Sequence, residues 1–193
     1  MTTAAKKIKL LVTGASGFIG YEVSRQLSLG GYRPRLMIRQ PGDDCEICHF
    51  DADFSLADLR EHNSLRHAVK GVDGIIHLGA RATFESYATL KPSILDGSIA
   101  LMKAGIEAGV RRFVYSSSLL VYSGRASRVN ADTPVNPVLD YGRIKVDTEK
   151  QLSEIAASAG VSFAALRLPH VYGARDLYFQ QLRAGRLILP GLG

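Results

Sequence analysis

The chain has 193 residues, 46% of them hydrophobic, enough for one well-formed core and short for two full domains. Its formal net charge is +6, but Lys and Arg are scattered, with only the short runs Lys6-Lys7 and Arg111-Arg112; that argues against a nucleic-acid surface and for solvated faces plus an anion site. No segment reaches the roughly 18 apolar residues of a membrane span, no apolar leader opens the chain, and two cysteines make no disulfide framework, so the expectation is a cytoplasmic protein with no membrane partner.

In chain order, short apolar runs fall at residues 8–12, 35–38, 74–78, 112–115 and 161–166. They are flat rather than alternating, as parallel strands buried on both faces are. A further strand, less sharply marked, is expected near residues 52–57. Amphipathic stretches at 18–29, 64–69, 93–108 and 141–158 read as helices, and Gly30-Gly31, Gly109 and Gly160 sit where helices should stop. Strand–helix alternation predicts an α/β fold, a doubly wound parallel sheet of the Rossmann type. Residues 130–140 hold two prolines and read as a loop, and beyond Pro169 the periodicity dissolves.

The first run leads directly into Thr13-Gly14-Ala15-Ser16-Gly17-Phe18-Ile19-Gly20. A strand, then glycines, then a helix start is the context of a dinucleotide site. Gly14 permits a tight turn, Gly17 a close backbone approach to a pyrophosphate, and Gly20 close packing of the helix. The phosphates would then meet free N–H groups at the positive end of the helix dipole.

This loop resembles that of the extended short-chain dehydrogenase/reductase family, also called the NAD-dependent epimerase/dehydratase family. The likeness runs from about Ile8 to Gly173. It implies an NAD(P)-binding Rossmann domain over residues 1–173, and makes residues 174–193 the start of a truncated substrate-binding region. Ser16, Phe18 and Ile19 join Gly14, Gly17 and Gly20 as cofactor-binding residues. At the end of the second strand, where a carboxylate would hold the ribose hydroxyls of NAD, stands Arg39. A guanidinium can grip a 2′-phosphate, so NADP is the expected cofactor; Asp43 and Asp44 follow closely and keep NAD as the alternative. Asp58-Leu59 resembles the segment whose Asp meets the adenine amino group, with Asp51 and Asp53 as rivals. His77-Leu78-Gly79-Ala80 resembles the end of the fourth strand, where Leu78, Gly79 and Ala80 line the cofactor and His77 is a packed structural histidine.

Tyr141 and Lys145 are spaced i, i+4, so on a helix they share a face. A nearby ammonium favours the phenolate of a group whose free pKa is about 10, making Tyr141 a general acid/base near neutral pH. Lys145 is also placed to hold the nicotinamide ribose. The segment Ser116-Ser117-Ser118 resembles the family's serine segment, with Ser118 at the catalytic place, bonding the reacting oxygen; Ser117 is the runner-up. Pro169, His170 and Val171 resemble the segment that touches the nicotinamide end. Two positions depart from the pattern: His170 and Ile94 stand where relatives commonly carry Asn.

Cys45-Glu46-Ile47-Cys48-His49 matches the attachment pattern for c-type haem. It falls in a strand connection of a nucleotide fold, with no second cysteine pair to close a zinc site, so an ordinary loop and no metal are expected. The reaction expected is hydride transfer between nicotinamide and a secondary alcohol or carbonyl, on a sugar nucleotide or small ketone. The rival is a cofactor-binding module or redox-sensing regulator without turnover. The resemblance further implies a homodimer through the helices at 93–108 and 141–158, with Leu101 and Ile155 on an outward face, and a C-terminal substrate lobe missing from the 193 residues.

Overall fold

The computed structural model describes residues 8–43, 45–81, 83–122, 128–173, 175–176, 180–181 and 183–185. Lys6-Lys7, Asp44 and most of 174–193 lie outside the described residues. Six strands, β1 (Leu10–Thr13), β2 (Arg35–Ile38), β3 (Asp53–Leu56), β4 (Gly74–His77), β5 (Arg112–Ser118) and β6 (Ser162–Leu168), form one parallel sheet in the order β3-β2-β1-β4-β5-β6. The order reverses between β1 and β4, which opens a crevice beyond their carboxyl ends, the usual ligand position in such sheets.

Alternation along each strand divides the core in two. Leu11, Met37, Ile75 and Phe113 face one way, towards α2 (His62–Val69), α4 (Gly97–Glu107) and α5 (Asp140–Ala159). Val12, Leu36, Ile38 and Ile76 face the other, towards α1 (Phe18–Leu29) and the loop carrying Ile47 and Phe50. Each fully buried Leu or Ile contributes about 1.5–3 kcal/mol relative to exposure. β1, β2 and β4 are buried along most of their length, whereas β3 and β6 alternate between covered and open positions. The physical reason is position: β3 and β6 are the two edges of the sheet.

Three expectations need correction. The helix expected at 93–108 begins instead as a π-helical turn at Pro92–Asp96 that continues from α3 (Tyr87–Lys91) and becomes α-helical only in α4. Pro92 has no N–H to continue the α ladder, and the Ser93 hydroxyl donates to the Leu90 carbonyl at 3.2 Å. Strand β5 runs on through the serine triplet, because Ser116, Ser117 and Ser118 pair with Leu166, Arg167 and Leu168 of β6. Leu101 does not lie on an outward face; it is fully buried in the core, and Ile155 packs partly buried against the same cluster.

Candidate active site

Gly14 turns off β1 with φ +68°, a left-handed conformation that glycine adopts without strain. A Cβ there would also stand 2.8 Å from the Gly79 nitrogen. The Gly17 amide donates to the Gly14 carbonyl at 3.0 Å, closing the turn. A Cβ on Gly20 would lie 1.9 Å from that same carbonyl oxygen, so α1 starts flush against the loop only because residue 20 is glycine. No side chain caps α1 and no acid sits in its first turn, which leaves the positive end of its dipole facing the crevice.

The crevice has a volume of about 440 Å³. Gly14, Ser16 and Gly17 of the first loop, Leu78, Gly79 and Ala80 after β4, and Arg39, Asp58 and Leu59 line it. Arg60 and Arg81, which the sequence reading passed over, line it as well. Phe18, Ile19 and Gly20 sit behind the loop rather than on the lining; Phe18 lies against Gly173, where an added Cβ would be 3.4 Å from its ring.

The basic end is organised by Asp58. Arg60 grips it side-on, Nε to Oδ1 at 3.0 Å and Nη2 to Oδ2 at 2.8 Å, and this pairing, with a smaller contribution from Arg39, holds the Asp58 carboxyl below the ordinary carboxylate range. The Arg39 guanidinium is largely exposed and forms a long ion pair with Asp43 at 3.9 Å. Asp43 Oδ2 meanwhile accepts the Arg39 and Gln40 amides at 3.2 and 3.3 Å, tying down the loop after β2. Of the rivals to Asp58, Asp53 pairs with Lys9 and Arg33, and Asp51 lies near Arg33; neither is on the crevice lining.

Beneath the wall runs a chain of buried hydrogen bonds. The Gly79 amide donates to Thr13 Oγ1 at 3.0 Å, Thr13 Oγ1 meets His77 Nδ1 at 2.6 Å, and His77 Nε2 meets Ser98 Oγ at 2.8 Å. The Ser98 hydroxyl donates to the Ile94 carbonyl. A carbonyl only accepts, so Ser98 must accept from His77 Nε2–H, and Nδ1 must accept from Thr13. His77 is thus a neutral, Nε2-protonated imidazole. Burial first, and the Lys145 charge second, push its pKa down to about 3. Ile94 itself is fully buried with Leu90, Leu95 and Ile144.

The chemistry-bearing helix is α5. Lys145 is buried, and its Nζ donates to the Ser116 carbonyl at 2.8 Å. Nζ stands 5.6 Å from the centre of the Tyr141 ring. Burial pushes the Lys145 pKa down to about 7, with Glu149 opposing. Burial also raises the Tyr141 pKa above its ordinary value, the reverse of the activation expected from a neighbouring ammonium. Tyr141 and Ala80 of the crevice wall pack against the same small cluster of Leu90, Ile94 and Ile144, which brings the helix face and the crevice together.

The serines differ in what their hydroxyls do. Ser117 donates to Glu149, which Arg167 grips through Nη2 at 2.8 Å while its Nη1 donates to the Tyr122 hydroxyl at 2.7 Å. Ser118 Oγ accepts the Leu120 amide at 3.2 Å, which leaves its O–H free to donate elsewhere. Glu149 and Arg167 were not singled out from sequence; the i, i+4, i+8 spacing of Tyr141, Lys145 and Glu149 was the available signal. Pro169, His170 and Val171 lie off the crevice lining; His170 is exposed, 3.8 Å from Asp176.

Cys45 and Cys48 are exposed free thiols. Cys48 Sγ donates to the Cys45 carbonyl at 3.4 Å, and the His49 ring packs 4.4 Å from that of Phe50. Among the described residues no three His, Cys, Asp or Glu side chains converge as a metal site, and no helix is long and apolar enough to cross a membrane.

The model of the NAD dependent epimerase/dehydratase family matches residues 10–189. Dihydroflavonol 4-reductase of Arabidopsis thaliana is 37% identical over 127 residues, 59% of this chain and 33% of that protein. UDP-glucose 4-epimerase of Vibrio cholerae is 27% identical over 188 residues, 90% of this chain and 55% of that protein. Among solved structures, a short-chain dehydrogenase/reductase superfamily protein from Agrobacterium tumefaciens with bound NAD superposes with a TM-score of 0.73 at 27% identity, covering 82% of this chain and 48% of that one. The chain therefore spans between a third and just over half of the length of these relatives.

Proposed function

This chain belongs to the NAD dependent epimerase/dehydratase family, and on that premise we propose that it is an NAD(P)-dependent oxidoreductase acting on a secondary alcohol or carbonyl, with NADP as its cofactor. The observation that carries the reading is the buried Lys145 one helical turn from Tyr141, on a helix packed against the dinucleotide crevice. When bound, nicotinamide supplies or accepts the hydride. Tyr141 exchanges the proton at the substrate oxygen, and its raised pKa keeps the resting phenol protonated, ready to donate to a carbonyl. Ser118 holds that oxygen with its free O–H, a role its hydrogen bonding supports over Ser117. Lys145 would hold the nicotinamide ribose, and it sets the field around Tyr141.

Gly14, Ser16 and Gly17 would receive the pyrophosphate at the start of α1. Support for NADP comes from Arg39 and Arg60 together. Arg60 is fixed in orientation by Asp58, Arg39 is largely exposed with only a long 3.9 Å ion pair to Asp43 among the described residues, and both line the crevice. The Agrobacterium neighbour holds NAD, so the phosphate preference is proposed from this chain's own arginines. The substrate is a sugar nucleotide or a small ketone, and the proposal extends to a cytoplasmic homodimer through α4 and α5. Half-buried Ile99, Ile106 and Ile155 are the apolar residues available there.

Calorimetry tests the cofactor. NADPH should bind more tightly than NADH, and Arg39→Asp should reverse the order; equal affinities untouched by the substitution refute the NADP assignment. Tyr141→Phe should abolish turnover while dinucleotide affinity stays within about twofold, since only the phenolic O–H is lost. Wild-type turnover in that variant refutes the mechanism. A monomer mass by light scattering at micromolar protein refutes the dimer.

A further inference from the structure

In the connection between β2 and β3, Cys45, Glu46, Ile47 and Cys48 run as a turn. Ile47 is fully buried in the cluster that holds Leu36, Ile38 and Phe50. Glu46 is paired with Arg175, whose guanidinium lies 3.8 Å from the centre of the Tyr21 ring. The two middle residues thus pin the turn to the fold, and the cysteines at its two ends are exposed free thiols. Unpaired cysteine is among the residue types most often buried in folded proteins. Two exposed thiols on one anchored turn therefore point to sulfur chemistry rather than to packing.

The sulfur of Cys48 already lies against residue 45, its S–H donating to the Cys45 carbonyl at 3.4 Å. A turn brings its first and fourth Cα atoms within about 7 Å, and a disulfide takes Cα atoms about 4.4–6.8 Å apart. Closing this pair therefore asks for side-chain rotation and a small backbone adjustment. The same connection carries Arg39 of the crevice lining. Asp43 Oδ2 accepts the Arg39 and Gln40 amides at 3.2 and 3.3 Å. The Asp43 amide donates to the Gln40 carbonyl at 3.2 Å, and the Cys45 amide to the Gly42 carbonyl at 3.3 Å. Ile47 and Phe50 are held in the core, so drawing Cys45 towards Cys48 displaces the side of the connection that carries Gly42 and Asp43, and with it the seat of Arg39.

We propose that Cys45 and Cys48 form a thiol–disulfide exchange site whose oxidant is a low-molecular-weight disulfide, and that closing the pair weakens the grip of Arg39 on a 2′-phosphate. The second part rests on the reading of Arg39 as the phosphate-binding residue. The Cys45 thiolate attacks one sulfur of the small disulfide; a bond forms between them, the S–S bond of the oxidant breaks, and one small thiolate leaves. The Cys48 thiolate then attacks the Cys45 sulfur and expels the second small thiolate. Both cysteines are oxidised, together losing two electrons; the small disulfide is reduced to two thiols, and the two cysteine protons pass to them. Exposed disulfides are of the labile, regulatory kind, so an excess of the small thiol reverses both steps.

The chain is equilibrated with reduced and oxidised glutathione over a range of ratios, alkylated and mapped by peptide mass, and its affinity for NADPH and NADH is measured by calorimetry in the fully reduced and fully oxidised states. Cys45 and Cys48 should be recovered as an internally bonded peptide that returns to free thiols under excess reduced glutathione, and Cys48→Ser should stop at the glutathione adduct of Cys45. Oxidation should weaken NADPH binding by about fivefold, the scale of one loosened charge-assisted contact, and leave NADH binding unchanged. Cys45→Ser should bind NADPH alike in both buffers. Glutathione adducts or links between molecules at every ratio, with no Cys45–Cys48 bond, overturn the exchange site. A closed pair with unchanged NADPH affinity, or with NADH weakened as much as NADPH, overturns the coupling, as does an oxidative loss of affinity in Cys45→Ser. Equal affinity of the reduced chain for NADPH and NADH would instead refute the NADP assignment, while the peptide masses still decide the exchange site.

Discussion

Lys145→Met should stabilise the fold at neutral pH while removing the ammonium from the proposed site. In the folded chain burial holds the Lys145 pKa near 7, against an ordinary value of 10.5. A lysine depressed in this way makes folding costly wherever the unfolded chain would carry its proton and the native chain resists it. The cost is absent above pH 10.5, grows as pH falls from 10.5 to 7, and is constant below that. With about 1.4 kcal/mol per pH unit, it amounts to about 4 kcal/mol at pH 7 and about 2 kcal/mol at pH 9. Glu149, the charged group that favours the ammonium, is already included in that pKa. Methionine removes the charge and approximates the stem. It also deprives the Ser116 carbonyl of its donor at 2.8 Å, a loss of about 1–2 kcal/mol. The net expectation is a gain of about 2–3 kcal/mol at pH 7 that nearly vanishes by pH 9. Urea unfolding followed by far-ultraviolet dichroism at the two pH values measures it. A variant less stable than wild type at pH 7, or one whose stability rises with pH as steeply as wild type, would refute the reasoning.

Gly20→Ala places a methyl 1.9 Å from the Gly14 carbonyl oxygen, so α1 must lift off the loop; dinucleotide binding should be lost and the midpoint of thermal unfolding should fall, both readable in one thermal-shift series with and without NADPH. His77→Phe should destabilise by about 2–4 kcal/mol, because the Thr13 and Ser98 hydroxyls lose a buried partner. The same variant should flatten the acid limb of the stability curve. His77 is neutral in the fold with its pKa near 3 against an ordinary 6.5, so its contribution is complete above pH 6.5 and is lost as pH falls towards 3; chemical denaturation at pH 7 and pH 5 should show a slope in wild type that the variant lacks. Arg60→Ala should weaken NADPH more than NADH, since Arg60 lines the crevice end that Arg39 shares; equal loss for the two dinucleotides would remove it from the phosphate site.

The local order of this protein was legible in its sequence because local rules dominate there. The strand–glycine–helix passage through Gly14, Gly17 and Gly20, the helix at 18–29 and the strand at 35–38 all stand where periodicity and turn chemistry put them. So does β3, even at an edge of the sheet. The pairing of Tyr141 with Lys145 on one helical face follows from spacing alone. What the chain order could not give was the outcome of contacts between residues far apart. Strand β5 extends through Ser118 only because β6 lies beside it to receive the bonds. The π-helical turn at Pro92 stands where the Ser93 hydroxyl finds the Leu90 carbonyl and where the Ile94 carbonyl accepts from Ser98 at the end of the His77 chain. Arg60 became visible as a site residue when Asp58 fixed its guanidinium on the crevice. Proximity to Lys145 suggested a lowered Tyr141 pKa, and the fold produced a raised one, because desolvation acts on both side chains at once and depends on how completely the surrounding helices and strands exclude water.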